Sequence, residues 1–196
     1  SLRRAVPYDA ACYATVDPAT GLLTGTYKVG GLVGLDQRDH EWGLCEYGDP
    51  EPTSFLEMVR RNIASSGVHV THDGDVLRSP RLRDFIVPYF SYSDELRVVG
   101  VAGERPWGGV AMFRDEGRTF TAEEIAFVGS IARSVGLAFR TGLLTRVADA
   151  APPVASGPAV IVVGADGRYA MTSVGALERL ALLGDGMAAT SPEGVV

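Results

Sequence analysis

The chain has 196 residues, of which 46% are hydrophobic and 21% charged, a composition that supports a packed core and excludes extensive disorder. Its formal net charge is −6 and Lys28 is its only lysine, so we do not expect this stretch to bind nucleic acid, which requires clustered basic side chains. No apolar run approaches the roughly 20 residues of a membrane helix. Cys12 and Cys45 form no CxxC pair and are expected in the core, which indicates a cytoplasmic chain without disulfides.

A turn cluster and a capping pattern organise the N-terminal part. Asp17–Gly21 is rich in turn-forming residues and separates two β-rich runs, 10–16 and 22–29, so it predicts a hairpin. Ser54 and Glu57 have the spacing of a capping box and precede helically spaced apolar residues, which predicts a helix from position 55 onward.

The middle of the chain is expected to hold two short elements. Val68–Thr71 is expected to form a short strand, followed by a turn at His72–Asp75. Ser79 and Pro80 have the pattern of an N-cap and a first-turn proline, and they predict a short helix. Pro88 has no N–H to donate, so we expect it to end that helix.

Two strands and a long helix are predicted downstream. Leu96–Ala102 and Trp107–Arg114 are strand-like, and the apolar residues of the first lie on both of its faces, which indicates a sheet that is covered on both sides. Thr121 and Glu124 form a second capping box. The helix that they open is predicted to continue to about Val147.

This helix carries two apolar stripes. The first consists of Ile125, Val128, Ala132, Val135 and Phe139, and the second of Phe127, Ile131 and Ala138. A helix that packs on one sheet needs only one stripe, about 100° wide. The second stripe is either part of a wide buried face within the domain or, in the interpretation that we favour, a helix-bundle interface of a homodimer.

The C-terminal part is predicted to be a separate small unit. Residues 148–158 contain three prolines and read as a linker between a domain over 1–147 and a unit over 159–196. Within that unit, a strand at Ala159–Val163, an Asp-Gly turn and a second strand form a hairpin, which a short amphipathic helix follows. Such a unit buries too little apolar surface to fold alone, so it docks on the first domain or begins a truncated one.

The sequence contains no pattern that predicts a catalytic or a metal-binding site. His69 and His72 are three residues apart, and on a strand such positions point to opposite faces, so we predict no metal site. No nucleophile motif is present, and we predict no catalytic residue and no cofactor. Asp94 and Glu95 are adjacent carboxylates, which we expect at the surface, at the start of a strand.

A ligand pocket is the more plausible kind of site. Small-molecule sites are concave and mostly apolar, with a few polar groups. The candidate ligand-binding residues are the aromatic residues Trp42, Phe55, Phe85, Tyr89 and Phe90, together with the polar residues His69 and Arg97. The alternative is that these aromatic rings simply fill the core between sheet and helices.

Several stretches resemble GAF domains, in particular those found upstream of LuxR-type helix-turn-helix domains. The matching segments are Ser79–Arg83, Asp94–Val99, Trp107–Arg114 and Phe120–Ile125, and the resemblance extends over roughly Tyr8 to Arg140. It implies an α+β fold with a central antiparallel sheet of five or six strands and helices on both faces. It also implies a ligand cavity under the middle helices and association of the terminal helices between protomers. The tail is similar, more weakly, to the start of a PAS domain.

The resemblance implies a non-enzymatic, signal-sensing domain of a transcription regulator. It would act as a homodimer, bind an unknown small molecule, and contact DNA only through a domain beyond Val196, with no membrane partner. Two alternatives stay open. One is a GAF module that only dimerises and binds no ligand; the other is a GAF sensor attached to a histidine kinase, a cyclase or an RNA-binding antiterminator.

Overall fold

A computed structural model of the chain describes residues 2–48, 51–115, 117–149, 160–172 and 176–181. By its internal contacts the chain divides into two units, Ser1–Leu144 and Thr145–Val196, and each is described by itself. In the part of the chain that is described, no helix is both long and apolar enough to cross a membrane.

The first unit contains five strands and seven helices, the last of which extends beyond it. The strands are β1 (Ala10–Val16), β2 (Leu23–Gly30), β3 (Ser65–Gly67), β4 (Tyr92–Ala102) and β5 (Arg105–Asp115). The helices are α1 (Leu2–Ala5), α2 (Asp39–Tyr47), α3 (Phe55–Arg60), α4 (Val68–Thr71), α5 (Val87–Phe90), α6 (Ala122–Ser130) and α7 (Ala132–Asp149). Short 3₁₀ turns cover Asp36–Arg38 and Val76–Arg78, and a π-helical turn over Leu82–Ile86 leads into α5.

The strands form one antiparallel sheet in the order β2-β1-β5-β4-β3. The strands β4 and β5 are joined by a tight turn in which Gly103 and Glu104 both have positive φ, as a two-residue hairpin turn requires. Strand β1 lies between β2 and β5, with Cys12 opposite Ala111. The predicted α+β fold with a central antiparallel sheet is therefore confirmed, with five strands.

Both faces of the sheet are buried, as the apolar pattern of β4 predicts. Neighbouring residues on a strand point to opposite faces, and the two core clusters divide the strand residues in this way. Cys12, Ala111 and Phe113 belong to one cluster. Ala11 and Met112 belong to the other.

Helices α6 and α7 cover the second of these faces. Val128 and Ala132 are buried in its cluster, and the half-buried Ile125, Val135 and Phe139 pack against it. This is the first apolar stripe of the sequence pattern. Thr121 and Glu124 form the reciprocal capping box that the sequence predicts.

The long helix is interrupted, contrary to the prediction of one continuous helix. Ile131 leaves helical geometry, with φ −99° and ψ 2°, and separates α6 from α7. The hydroxyl of Ser130 donates to the carbonyl of Phe127 at 2.6 Å, and hydroxyl bonds of this kind compete with the helical backbone and bend helices.

Asp94 and Glu95 are fully buried, so their predicted surface position is wrong. Asp94 accepts backbone N–H bonds from His69 at 3.0 Å, Glu95 at 2.8 Å and Phe120 at 2.8 Å. The first of these bonds satisfies an orphan N–H at the start of α4. This explains why Val68–Thr71 is a helix rather than the predicted strand, with β3 ending just before it.

Pro88 does not end its helix. Ser79 is the N-cap as predicted, and its hydroxyl accepts from the Leu82 N–H at 3.2 Å. The chain then widens into the π-helical turn, and α5 continues through Pro88 to Phe90. A π turn relaxes the i→i−4 spacing in which a proline ring would otherwise clash.

The second unit contains a hairpin and a helix, as predicted. Strands β6 (Ile161–Val163) and β7 (Tyr169–Thr172) pair antiparallel, and α8 covers Ala176–Ala181. Helix α7 continues to Asp149, and most of the predicted linker, 150–158, lies outside the described residues, so its structure stays a prediction.

Candidate functional site

A cleft of about 620 Å³ lies on the face of the sheet opposite α6 and α7. Helix α2 forms one side of it, and strands β1 and β2 form the other. Its lining consists of Cys12, Ala14, Leu23, Thr24, Gly25, Thr26, Asp39, His40, Trp42, Gly43, Leu44, Glu46, Tyr47, Gly48, Phe55, Arg97 and Ala111.

The cleft exists because the sheet presents small side chains at this place. Cys12, Ala14 and Ala111 form its floor, whereas Phe113, further along β5, fills the space above the sheet with its ring. Short side chains cannot reach the overlying helix α2, so a concave space remains between them. This is the geometry of a small-molecule site, mostly apolar and bounded by a few polar groups.

An aromatic cluster closes the inner end of the cleft. The Trp42 ring centroid lies 5.9 Å from that of Phe85, 5.7 Å from that of Phe90 and 5.7 Å from that of Phe113. Aromatic rings at these separations attract each other and bury a large area. Phe85 and Phe90 therefore pack in the core and are not among the residues that line this cleft, so their part in ligand binding stays a prediction.

The other five candidate ligand-binding residues also divide into those that line the cleft and those that lie outside it. Trp42, Phe55 and Arg97 do line the cleft. Tyr89 is 50% exposed and carries the Arg38 guanidinium 3.7 Å from its ring centroid. His69 lies on α4, which is outside the cleft lining.

Arg97 joins the cleft to a buried network of charges. It is 1% exposed, its Nε donates to Glu95 at 2.8 Å, and its Nη1 donates to Glu46 at 2.6 Å. Its guanidinium also lies 4.4 Å from the ring centroid of Phe55. Glu46 in turn accepts from the backbone N–H of Phe55 at 2.6 Å, so one carboxylate ties α2 to the start of α3.

The network continues to a second arginine. Arg81 donates from Nε and Nη2 to Glu95 at 3.0 and 2.6 Å, and from Nη2 to the Thr53 hydroxyl at 2.8 Å. Arg81 also pairs with Glu51, which accepts from the Ser79 hydroxyl at 2.7 Å. Buried charges are tolerated where opposite charges and hydrogen bonds compensate them in this way.

The network keeps its central groups ionised. Burial disfavours the charged form of Glu95, but the charges of Arg81 and Arg97 and their hydrogen bonds outweigh it and lower the pKa of that carboxyl. Burial likewise acts against the charge of Arg97, and the carboxylates of Glu46 and Glu95 outweigh it and raise the pKa of the guanidinium.

Two polar anchors hold α2 over the sheet. Lys28 on β2 donates to the Leu35 carbonyl at 2.9 Å and to Asp36 at 2.8 Å, and it also pairs with Asp39 in the first turn of α2. At the other end of the helix, the Tyr47 hydroxyl accepts the backbone N–H of Leu23 at 2.6 Å. The two anchors fix the width of the cleft.

Glu46, Cys12 and Ala14 are among the cleft residues that the sequence interpretation missed. Glu46 lies four residues after Trp42 on the same helical face, which was the available signal. Cys12 was expected in the core but not beside a site, and Ala14 shows nothing in its local sequence. Small floor residues are recognisable only when the strand pairing is known.

The candidate dimer residues lie on the outside of α6 and α7. Phe127 is 43% exposed, Ala138 is exposed, and Ile131 is half-buried. Leu137 and Leu144 add further exposed apolar surface to the same pair of helices. Phe127 and Ala138 of the second stripe are thus exposed in the described part of the first unit, whereas Ile131 is partly covered.

Within the described residues, no three or more His, Cys, Asp or Glu side chains are grouped so that they could hold a metal ion. His72 is buried and its pKa is lowered, first by burial and then by the nearby charge of Arg78. The neutral ring thus packs in the protein interior.

No protein-family model matches the chain, and no curated protein matches it. Solved structures do match. A GAF domain from Synechocystis sp., in its photoproduct state, is 22% identical, with 74% of this chain and 91% of that chain covered and a TM-score of 0.47. A domain of a two-component sensor histidine kinase from Sinorhizobium meliloti is 19% identical, with 76% and 90% covered and a TM-score of 0.47.

A third similar structure is the VqsR LBD domain from Pseudomonas aeruginosa. It is 15% identical, with 73% of this chain and 82% of that chain covered and a TM-score of 0.46.

Proposed function

We propose that this chain is a GAF-type, non-enzymatic sensory domain that binds a small molecule in the cleft between α2 and strands β1 and β2. The observation that carries the proposal is the cleft itself, with its floor of small side chains and the buried Arg97 in its lining. The GAF-like sequence segments noted above and the antiparallel sheet with helices on both faces support the domain type.

We further propose that the output of this sensor is a change in a homodimer, as part of a LuxR-type transcription regulator in the cytoplasm. The exposed second stripe of α6 and α7 supports a helical interface, because an apolar helical face is stabilised by a partner. DNA would be contacted by another domain, since the basic residues of this chain are scattered and its net charge is negative.

The sheet supplies a physical path between the cleft and the dimer helices. Arg97 points to the cleft face of β4, while its neighbours Leu96 and Val98 belong to the core under α6. A ligand would shift the balance between two dimer geometries only by its difference in affinity for them. Helix α7 would carry that shift toward the C-terminal unit.

Ligand binding is tested by screening small molecules for those that raise the melting temperature of the chain. The binding site of each such molecule is then mapped by the changes that it causes in amide chemical shifts. Ala14→Leu adds three carbons at the cleft floor, and Ala126→Leu adds the same atoms on the exposed face of α6. Ala14→Leu should abolish the ligand-induced shift, and Ala126→Leu should preserve it. If both variants bind alike, the cleft is not the site.

The dimer is tested by light scattering at micromolar concentration. Phe127→Gln should dissociate it, whereas Tyr27→Gln removes an aromatic ring that is 69% exposed on β2 and should leave it intact. A strictly monomeric unmodified chain contradicts the dimer. A stable dimer in which no molecule binds the cleft would instead favour the ligand-free dimerisation module.

A further inference from the structure

The buried arginine and lysine side chains at the cleft have no positive charge to spare. Around Arg97 the described residues place three buried carboxylates, Glu46, Glu51 and Glu95, against two buried guanidinium groups, Arg97 and Arg81. Both guanidinium groups are therefore already paired. Lys28, which pairs with the lining residue Asp39, is engaged by Asp36 and Asp39 in the same way.

One nitrogen of the lining residue Arg97 nevertheless has no hydrogen-bond partner among the described residues. Nη2 of Arg97 is buried and has no hydrogen-bond partner among the described residues, although Nε and Nη1 of the same guanidinium are both bonded. A buried donor without an acceptor is costly, and native proteins rarely leave one. Arg97 lines the cleft, and its Nη2 is closed to solvent, so an acceptor atom on a ligand would satisfy this donor after a small movement of the cleft wall.

The rest of the lining is suited to a ring. Trp42 and Phe55 present aromatic surface, and Leu23 and Leu44 present aliphatic surface. A further negative charge placed here would meet the carboxylates of Glu46 and Asp39, which also line the cleft, at the low effective dielectric of a partly buried site. The walls therefore favour a neutral molecule over an anion.

From this we infer that the ligand of the cleft is an uncharged, ring-containing molecule with a carbonyl, ether or hydroxyl oxygen that accepts a hydrogen bond from Nη2 of Arg97. Carboxylates and phosphates are excluded. This inference rests on the proposed function, because it specifies the ligand class of the same cleft.

Three shape-matched probes test the ligand class. β-Naphthyl methyl ketone carries a neutral acceptor, β-naphthoate carries a carboxylate, and β-ethylnaphthalene carries no acceptor. Each is titrated into the ¹⁵N-labelled full chain, and the dissociation constant is fitted to the amide shifts of α2 and β2. The ketone should bind about tenfold more tightly than either of the others, the effect expected of one hydrogen bond from a charged, buried donor.

Arg97→Lys tests whether Nη2 of Arg97 is the donor that makes the ketone bind more tightly. The ammonium group keeps the charge beside Glu46 and Glu95 but lacks the third guanidinium nitrogen. In this variant the ketone should lose its advantage over the hydrocarbon, while Arg140→Lys on the exposed surface of α7 should retain it. If Arg97→Lys does not fold, the three probes on the unmodified chain decide alone.

The outcomes separate the two proposals. Equal binding of ketone and hydrocarbon, or tighter binding of naphthoate, overturns the ligand class and leaves the cleft as a site. If none of the three probes shifts the cleft amides, the proposed ligand-binding function fails, and the ligand class fails with it.

Discussion

Helix α7 lies on the sheet in direct backbone contact, and a single methyl group should test that contact. A Cβ added to Gly136 would lie 2.5 Å from the backbone N, C and O atoms of Val101 on β4. Real Cβ atoms do not approach backbone so closely, and backbone cannot rotate away as a side chain can. Gly136→Ala should therefore displace α7 from the sheet.

Gly142 provides the matched control on the same helix. A Cβ added there meets no described atom within 4 Å apart from its chain neighbours and the backbone of its own helix. Alanine is favoured over glycine in a helix interior by about 1 kcal/mol, so Gly142→Ala should stabilise the domain by up to that amount. Gly136→Ala has the same helical gain but also the cost of overpacking, about 1–3 kcal/mol.

The difference in unfolding free energy between the two variants measures the cost of crowding α7 against β4, since the gain in helix propensity is common to both. Gly136→Ala should be less stable than Gly142→Ala by about 1–3 kcal/mol, which corresponds to roughly 2–12 °C in melting temperature for a domain of this size. Urea denaturation and thermal melts followed by circular dichroism measure it. Equal stability of the two variants would refute the close packing of α7 on β4.

Further predictions concern two titratable groups. Burial opposes ionisation of Glu124, but hydrogen bonds from Arg114 and the Thr121 backbone outweigh it, so its pKa lies below the ordinary 4.5. Its stabilising contribution is therefore present above pH 4.5 and is lost as pH falls through the lowered pKa. Glu124→Gln should lower the free energy of unfolding by about 1–2 kcal/mol at pH 7. In urea melts below pH 4 the difference between variant and unmodified chain should shrink, and a difference that stays constant with pH would contradict this. Burial raises the pKa of the Cys12 thiol to about 11. In a Cys45→Ser variant, iodoacetamide at pH 8 should therefore alkylate Cys12 roughly a thousandfold more slowly than a fully ionised thiolate. Rapid labelling of Cys12, measured by mass spectrometry, would show that the floor of the cleft is open and polar.

The local elements of this protein follow from its sequence. The hairpin of β1 and β2, the hairpin of β4 and β5, and the capping box of Thr121 and Glu124 are all specified by residues within a few positions of each other. Turn and cap preferences depend on backbone geometry and on short side-chain hydrogen bonds, which nearby residues provide. The same holds for the Ser79 cap.

Two of the departures have a common cause in contacts between distant residues. Val68–Thr71 becomes a helix because a carboxylate 25 residues away along the chain accepts the His69 N–H. Glu95 is buried because Arg81 and Arg97 neutralise it, and neither partner is recognisable from an isolated acidic pair in a strand.

In the candidate site, too, the sequence predicts some features and only the folded structure decides the others. The sequence identifies Trp42, Phe55 and Arg97 by residue type, and it identifies Phe85 and Phe90 by the same criterion. Only the packing of the rings on one another separates the residues that fill the core from those that line the cleft.

The sequence by itself determined the covered sheet and the acidic, lysine-poor composition, and its resemblance to GAF domains implied the α+β class. The first two properties are sums over residue types and short-range periodicity. The tertiary structure decided where an empty space remains, because a cavity depends on which small residues of separate strands lie side by side beneath a helix. It also decided that Nη2 of Arg97 has no partner among the described residues, since hydrogen bonds between distant residues form only once the chain has folded.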